Sequence, residues 1–432
     1  MLAPTDGVLL VSKPLRPPFS DGSTVLVRTL VESLDPEHFL VYFGDPAHPL
    51  REAGLVIDGP AMGHSPSLLS KVRVLLGIVH PGHRRRPLHL FFTPNRLTST
   101  VVAMLRRLQP RRPMIQSLMS AHDVERHVDL LRPLDMVVVL SENTKARLEA
   151  AGFDPAKIRR IYPGVAGVAS ADAAAPAVIA GHRRLLYAGD LDAAVADRLL
   201  AIAPALDEPE LAGWTLTIAC RPKGEDDANQ RRRLAEGLRA RIEAGQVELL
   251  GEVADMPALL ASASLQLFVA DHVRRKVDLP LVILEGLAIG LGLVSLDFAP
   301  VSEIFDRGEA QGLVPGVRAP ADADPEGLRA AVLAGVRGVV EGRWAPAAQE
   351  LVRREFSRES MAAGLGALYD ELAATGLSRS LAAGLRSTTS SRLRVEPLIG
   401  GGVALDDELA ATGLSRSLAA GLRSTTSSRL RA

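Results

Sequence analysis

Two Rossmann-like α/β domains facing a cleft, closed by C-terminal helices, are the fold the sequence predicts, and three observations predict it. Short apolar runs alternate with segments of helical periodicity, which implies parallel sheets. The alternation lapses once, from Ala166 to Ala180, where Ala is abundant and large apolar residues are few. A second alternating series then follows. At roughly 100–200 residues per domain, the 432 residues of the chain hold two or three domains. The expected partition is an N-terminal domain over 1–165, a linker over 166–182, a C-terminal domain over 183–345, closing helices over 346–372 and a tail over 373–432.

The first series opens with the apolar run Val8 to Ser12, a loop punctuated by Pro and Gly through Ser23, and a helical pattern from Thr24 to Leu34. Phe39 to Phe43, Leu88 to Thr93 and Met136 to Ser141 read as further strands, with helices over Thr98 to Leu108 and Thr144 to Ala151, the latter ended by Gly152. In the second series, Arg184 to Ala188, Thr215 to Ala219, Val247 to Leu250, Leu265 to Ala270 and Leu293 to Leu296 read as strands. Helices are expected over Ala194 to Leu206, Gln230 to Ile242, Met256 to Ala263 and Pro280 to Ala288, and closing helices over Pro346 to Leu372.

The tail carries a repeat: Asp370 to Arg394 recurs without change at Asp407 to Arg431. Stacked repeat folds need several copies, so two perfect copies read as a recent duplication or a joining scar. Their Ser, Thr, Arg and Gly content favours a mobile or weakly helical segment.

Composition removes several function classes. Lys plus Arg and Asp plus Glu both total 50, so no global field drives nucleic-acid binding. A single cysteine, Cys220, permits neither an internal disulfide nor a multi-thiolate metal site, which fits a reducing, cytoplasmic compartment. The N-terminal run lacks the basic flank and small-residue cleavage site of a secretory signal. No stretch approaches the roughly 20 apolar residues of a membrane-spanning helix.

Charge is nevertheless segregated. Lys71, Arg73, Arg84, Arg85, Arg86, Arg96, Arg106, Arg107, Arg111 and Arg112 fall within 42 positions that hold no acidic residue. Such a patch can hold a domain on anionic lipid, or it can be a solvated basic face. Nucleic acid fits poorly, because aromatic residues are not interleaved with the Arg.

Three segments can carry chemistry. In RKVDLPLVILEGLAIG, Arg275 to Gly290, Pro280 suits a first helical position and Asp278 lies near a cap. The free N–H groups of such a helix start favour a phosphate, and Lys276 adds a full charge beside it. Glu285 sits among Leu281, Val282, Ile283, Leu284 and Leu287 and therefore needs a partner, which a ribose diol would supply. A solvent-facing Glu, or one paired with an Arg, is the plainer alternative. Second, Gly22 and Ser23 end the loop after the first strand, where backbone can approach a ligand, although an ordinary strand-to-helix turn reads the same way. Neither a G-x-G-x-x-G nor a Walker pattern is present, which disfavours a dinucleotide dehydrogenase or a P-loop kinase. Third, Arg221 and Lys223 follow the strand at Thr215 to Ala219, where they can neutralise a diphosphate or be simply solvated.

Together these segments resemble the retaining, nucleotide-sugar-dependent glycosyltransferases of the GT-B fold, the large group 1 family that includes sucrose synthase and the mannosyltransferases of bacterial envelopes. The resemblance runs from about Val8 to Leu372. SENTKARLEAAG (Ser141 to Gly152) with KIRRIYPG (Lys157 to Gly164) is similar to the end of the family's first domain, and RLLYAG (Arg184 to Gly189) to the first strand of its donor domain. Leu249 to Val253 with Met256 to Ala263 is similar to its strand, turn and helix near the base, and Pro280 to Gly290 to its nucleotide-sugar helix. The family's Glu-x7-Glu motif matches at Glu285 only, since Val277 stands at the earlier position; Val195 stands where a phosphate-binding Lys is usual. One branch of the family has a similar Lys-x-Asp-x-Pro-x4-Glu pattern.

The resemblance implies a bacterial hexosyltransferase of cell-envelope polysaccharide biosynthesis. It would move a sugar from a nucleoside diphosphate donor to a glycan or lipid-linked acceptor with retention of configuration, without a metal or any cofactor beyond that co-substrate. It implies His122, Lys276 and Asp278 as catalytic residues, with His122 near the transferred sugar; a satisfied surface His reads the same way, and His127, Asp123 and Glu125 are the neighbouring alternatives. It implies Gly22, Ser23, Arg221, Lys223, Leu281, Val282 and Glu285 as substrate-binding residues. Expected partners are the nucleotide sugar, the acceptor and, through the basic patch, an anionic membrane surface at its inner face. The rivals are a non-catalytic binding subunit of the same fold, motivated by Val277 and Val195, and a nucleotide-sugar epimerase, whose acid and base carboxylates are not identifiable.

Overall fold

A computed structural model describes residues 7–15, 22–33, 39–44, 57–58, 68–84, 86–92, 94–120, 122–166, 182–221, 224–273 and 277–390, with most side chains described as far as Ala374. The expected linker lies, apart from its ends, outside the described residues. The chain divides into a unit over 1–380 and another over 381–432; in the latter, residues 381–390 are helical.

The first sheet is formed by β1 (Val8–Leu15), β2 (Phe39–Gly44), β3 (Ile57–Asp58), β4 (Leu88–Leu90), β5 (Met114–Leu118), β6 (Met136–Val139) and β7 (Ile158–Arg160). Interleaved are α1 (Gly22–Ser33), α2 (Leu68–Val79), α3 (Arg96–Leu108), α4 (Val128–Leu131) and α5 (Glu142–Ala150). All pairings are parallel, in the order β3-β2-β1-β4-β5-β6-β7. Strands covered on both faces read as continuous apolar runs, and β6, Met-Val-Val-Val, is buried at every position.

The second sheet is formed by β8 (Arg184–Ala188), β9 (Thr215–Ala219), β10 (Val247–Leu250), β11 (Leu265–Phe268), β12 (Gly292–Leu296) and β13 (Gly316–Ala319). Its helices are α6 (Ala193–Ile202), α7 (Glu225–Gly237), α8 (Arg239–Glu243), α9 (Met256–Ala261), α10 (Leu281–Ala288), α11 (Ser302–Glu309), α12 (Pro325–Val340) and α13 (Trp344–Leu351). The order is β10-β9-β8-β11-β12-β13, again all parallel. Two parallel sheets flanked by helices match the predicted class.

Helix starts follow their caps. Asn95 and Thr98 form a reciprocal capping box at α3, and Ser141, Asp192, Asp255 and Asp324 each accept a backbone N–H at the starts of α5, α6, α9 and α12. After α13 a π-turn over Val352–Phe356 leads into α14 (Arg358–Ser390). That helix continues past the expected end of the closing helices at 372 and through most of the first copy of the repeat. It returns the chain to the first sheet: the Tyr369 hydroxyl meets His89 Nδ1 at 2.7 Å, and Ser117 meets His89 Nε2 at 2.8 Å. Burial pushes the imidazole down to about 3, so His89 stays neutral. Among the described residues, no helix is long and apolar enough to cross a membrane.

Candidate functional site

In open parallel sheets ligands sit beyond the carboxyl ends of the strands, where the strand order reverses. Here the reversals fall between β1 and β4 in the first sheet and between β8 and β11 in the second. The predicted residues follow these strands: Gly22 and Ser23 come after β1, Asp278 and Glu285 after β11, and Arg221 after the neighbouring β9.

On α10, Leu281, Ile283, Leu284, Gly286, Leu287 and Ala288 are buried, while Val282 and Glu285 are half-exposed. Their i, i+3 spacing puts both on one open stripe. Ile289 continues it, and Val282, Ile289, Met256, Val253 and Leu250 pack against the buried cluster that contains Ala188 and Ala219. Glu285 therefore shares a helix face with Val282 and Ile289, which border that cluster. Burial raises its carboxyl above the usual range, and among the described residues it has no hydrogen-bond or ion-pair partner. Pro280 stands at the position just before the first residue of α10, Leu281, rather than at the first helical position expected, and makes no side-chain cap bond.

Asp278 does not cap that helix, contrary to the expectation from its position near Pro280. It is fully buried, and its carboxylate accepts hydrogen bonds from the Ser141 hydroxyl at 2.8 Å and from the Thr144 hydroxyl, both at the start of α5. Its backbone N–H donates to Met119 O at 3.0 Å. Val277 is also buried, and the space a Cβ would take at Gly22 is bounded by Val277 Cγ2 at 3.0 Å. The segment entering α10 thus lies against α1, the loop after β5 and α5. Gly22 and Ser23 are the first residues of α1, half-buried beside it.

His122 lies in that same loop after β5, exposed, with Nε2 3.4 Å from Asp123 Oδ2 and its N–H bonded to Ser120 Oγ. Asp123 holds a left-handed turn at φ 54°, a conformation Asp tolerates better than most residues. Arg221 points at Glu252, 3.3 Å away, so its charge is already met by a carboxylate. Lys223 and Lys276 lie outside the described residues.

The second sheet's edge holds groups that sequence reading passed over. His272 Nε2 is 3.1 Å from Asp192 Oδ2, and Arg198 bonds Asp271 at 2.8 Å. Asp192 caps Val195 N, at the position where the resemblance led to a missing Lys. The His272–Asp192 pair had no sequence signal, because the two residues are 80 positions apart. Among the described residues, no group of three or more His, Cys, Asp or Glu is placed to hold a metal ion.

Residues 182–335 match the family model described as Glycosyl transferases group 1. No curated protein is similar enough in sequence to match. Among solved structures, HepE of Anabaena, crystallised with UDP and glucose, has a TM-score of 0.61 at 14% identity, covering 85% of this chain and 100% of its own. A glycosyltransferase of Rickettsia africae gives 0.60 at 12% identity over 85% and 98%. Sucrose-phosphate synthase of Thermosynechococcus elongatus gives 0.59 at 18% identity over 85% and 100%. The fold is that of the GT-B glycosyltransferases. Within it, the segment carrying the second sheet and α10 matches the group 1 family, as the resemblance implied.

Proposed function

We propose that the chain is a hexosyltransferase that moves a sugar from a nucleoside diphosphate sugar to a glycan or lipid-linked acceptor with retention of configuration. The observation that carries this reading is Glu285: a half-buried carboxylate with no partner among the described residues, on the same stripe of α10 as the apolar Val282 and Ile289. A ribose diol donates the two hydroxyl hydrogen bonds such a group lacks, and a base stacks on Met256, Val253 and Val282. The group 1 match over 182–335 and the UDP-bound state of HepE support the same donor class.

In the reaction, the bond from the anomeric carbon to the diphosphate oxygen breaks and the acceptor hydroxyl oxygen bonds that carbon from the same face. The acceptor proton passes to the departing phosphate. Charge grows on the diphosphate, so stabilisation must be aimed there. The first turn of α10 would offer backbone N–H groups and a positive dipole end, and Lys276 and Lys223 are proposed to add full charges in place of a metal. Arg221 joins them on release from Glu252. His122 is proposed to bond a hydroxyl of the transferred sugar, and Gly22 and Ser23 to bound the acceptor side. A transfer assay on purified protein with UDP-, GDP- and ADP-hexoses tests the reading; turnover with none of them supports the binding-subunit alternative that Val277 and Val195 motivate.

The basic run is proposed to place the enzyme on the inner face of an anionic membrane. Arg84, Arg96, Arg107 and Arg111 are exposed, as are the apolar Leu76 and Leu108 at 62% and 63%. Arg106 is engaged by Asp135, and Arg112 is buried on backbone carbonyls. The side chains of Lys71 and Arg73, and residue 85, lie outside the described residues.

A further inference from the structure

Asp278 belongs by sequence to the loop that enters α10, yet its carboxylate is held by the start of α5 in the other sheet. Three first-sheet elements meet this segment: Gly22 of α1 against Val277, Met119 O against the Asp278 N–H, and the Ser141 and Thr144 hydroxyls against the carboxylate. Ser141 and Thr144 are both 0% exposed, so neither can touch a bound ligand.

A buried carboxylate is costly unless hydrogen-bonded, and it gains further at a helix N-terminus. Asp278 meets both conditions at the start of α5, where the Ser141 and Thr144 hydroxyls donate to it. A second carboxylate, Glu303 of α11, reinforces that seat by accepting the N–H groups of Glu142 and Asn143 at 2.8 and 2.7 Å and the Tyr162 hydroxyl at 3.2 Å. Pro280 follows Asp278 by two residues and fixes its own φ, so little slack separates the buried carboxylate from the first turn of α10.

We propose that Asp278 is a positioning residue: by seating on Ser141 and Thr144 it sets the first turn of α10, and with it Glu285, so that nucleotide affinity depends on hydroxyls of the opposite sheet. This rests on the proposed donor site for its nucleotide readout, and the test has a second arm that does not.

The test compares Thr144→Val, which keeps the shape and removes the donor, with Thr144→Ser, which keeps the hydroxyl. UDP, GDP and ADP are titrated calorimetrically into each full-length protein. For the nucleotide that wild type binds, Thr144→Val is expected to weaken Kd at least fivefold and Thr144→Ser to stay within twofold of wild type. Loss of thermal stability in Thr144→Val with an unchanged Kd would reduce Thr144 to a helix cap and overturn the proposal. If wild type binds none of the three, the donor reading fails, and hydrogen exchange decides the coupling alone. Exchange over 277–285 should then quicken in Thr144→Val relative to Thr144→Ser while β12 is unchanged; equal exchange in both variants overturns it. Should Thr144→Val not fold, Ser141→Ala is read by the same two measurements against the same outcomes.

Discussion

Ser141 and Asp278 stand 137 positions apart in the chain, and the hydroxyl of the first donates to the carboxylate of the second at 2.8 Å. The bond ties the end of β6 to the approach of α10, so the two sheets meet at their carboxyl ends, the edge where parallel sheets bind ligands.

Glu285 makes a pH-dependent contribution whose sign is fixed. Its carboxyl is raised by burial, so the folded protein keeps that proton where the unfolded chain has lost it. Stability from this site is present at low pH and falls as pH rises through the raised value. Glu285→Gln is therefore expected to raise Tm by about 2 °C at pH 8 and to leave it unchanged near pH 4. A thermal scan at both pH values checks this, and a lower Tm at pH 8 would contradict it.

His89 acts in the opposite direction. It titrates at about 3 when folded and at 6.5 when free, so the unfolded chain binds a proton first and stability is lost as pH falls below 6.5. The loss is about 1.4 kcal/mol per pH unit until the folded value is reached. His89→Gln should flatten the pH dependence of denaturant unfolding between pH 6.5 and 4; an unchanged slope would remove His89 as its source.

Gly164 lies where the chain from β7 passes the start of α14. A Cβ there would stand 2.6 Å from Arg358 Cα and 2.7 Å from Ser357 O. Backbone cannot rotate away as a side-chain end can, so Gly164→Ala is expected to cost about 2–3 kcal/mol, read by denaturant unfolding. A cost within 0.5 kcal/mol, the ordinary scatter of a surface change, would show that the joint is loose.

His122 is exposed, so its replacement separates function from folding. His122→Ala should reduce transfer roughly 10²-fold with no change in Tm. Full activity would remove it from the site.

The basic face is checked by sedimentation with vesicles. Wild type should bind vesicles of phosphatidylglycerol and phosphatidylcholine more tightly than phosphatidylcholine alone. Arg107→Glu with Arg111→Glu should lose more than tenfold of that binding. Equal binding to both vesicle types would end the membrane proposal.

Most of the second sheet was legible in the sequence because β8, β9 and β11 are short runs in which apolar and β-favouring residues predominate. β5 was not, since Gln116 and Ser117 interrupt its apolar pattern; in the fold, Gln116 bonds Phe92 O and Ser117 bonds His89. β7, Ile-Arg-Arg, and β13, Gly-Val-Arg-Ala, are edge strands whose Arg side chains reach solvent or acidic partners, so hydropathy missed both. Glu285 could be singled out because a lone carboxylate in an apolar helix breaks its local pattern. Asp278 was noticed for the wrong partner: local spacing suggests a cap on α10, whereas the hydroxyls that bind it come from a helix more than 130 residues earlier. No local rule reaches that far.

The central claim is that α10 holds a nucleotide through Glu285, and calorimetric titration of UDP, GDP and ADP into wild type and Glu285→Ala tests it most directly. The account predicts that wild type binds one of the three and that the variant binds it about 10- to 100-fold more weakly, the worth of hydrogen bonds to a charged group. Equal affinity in the two proteins would contradict it.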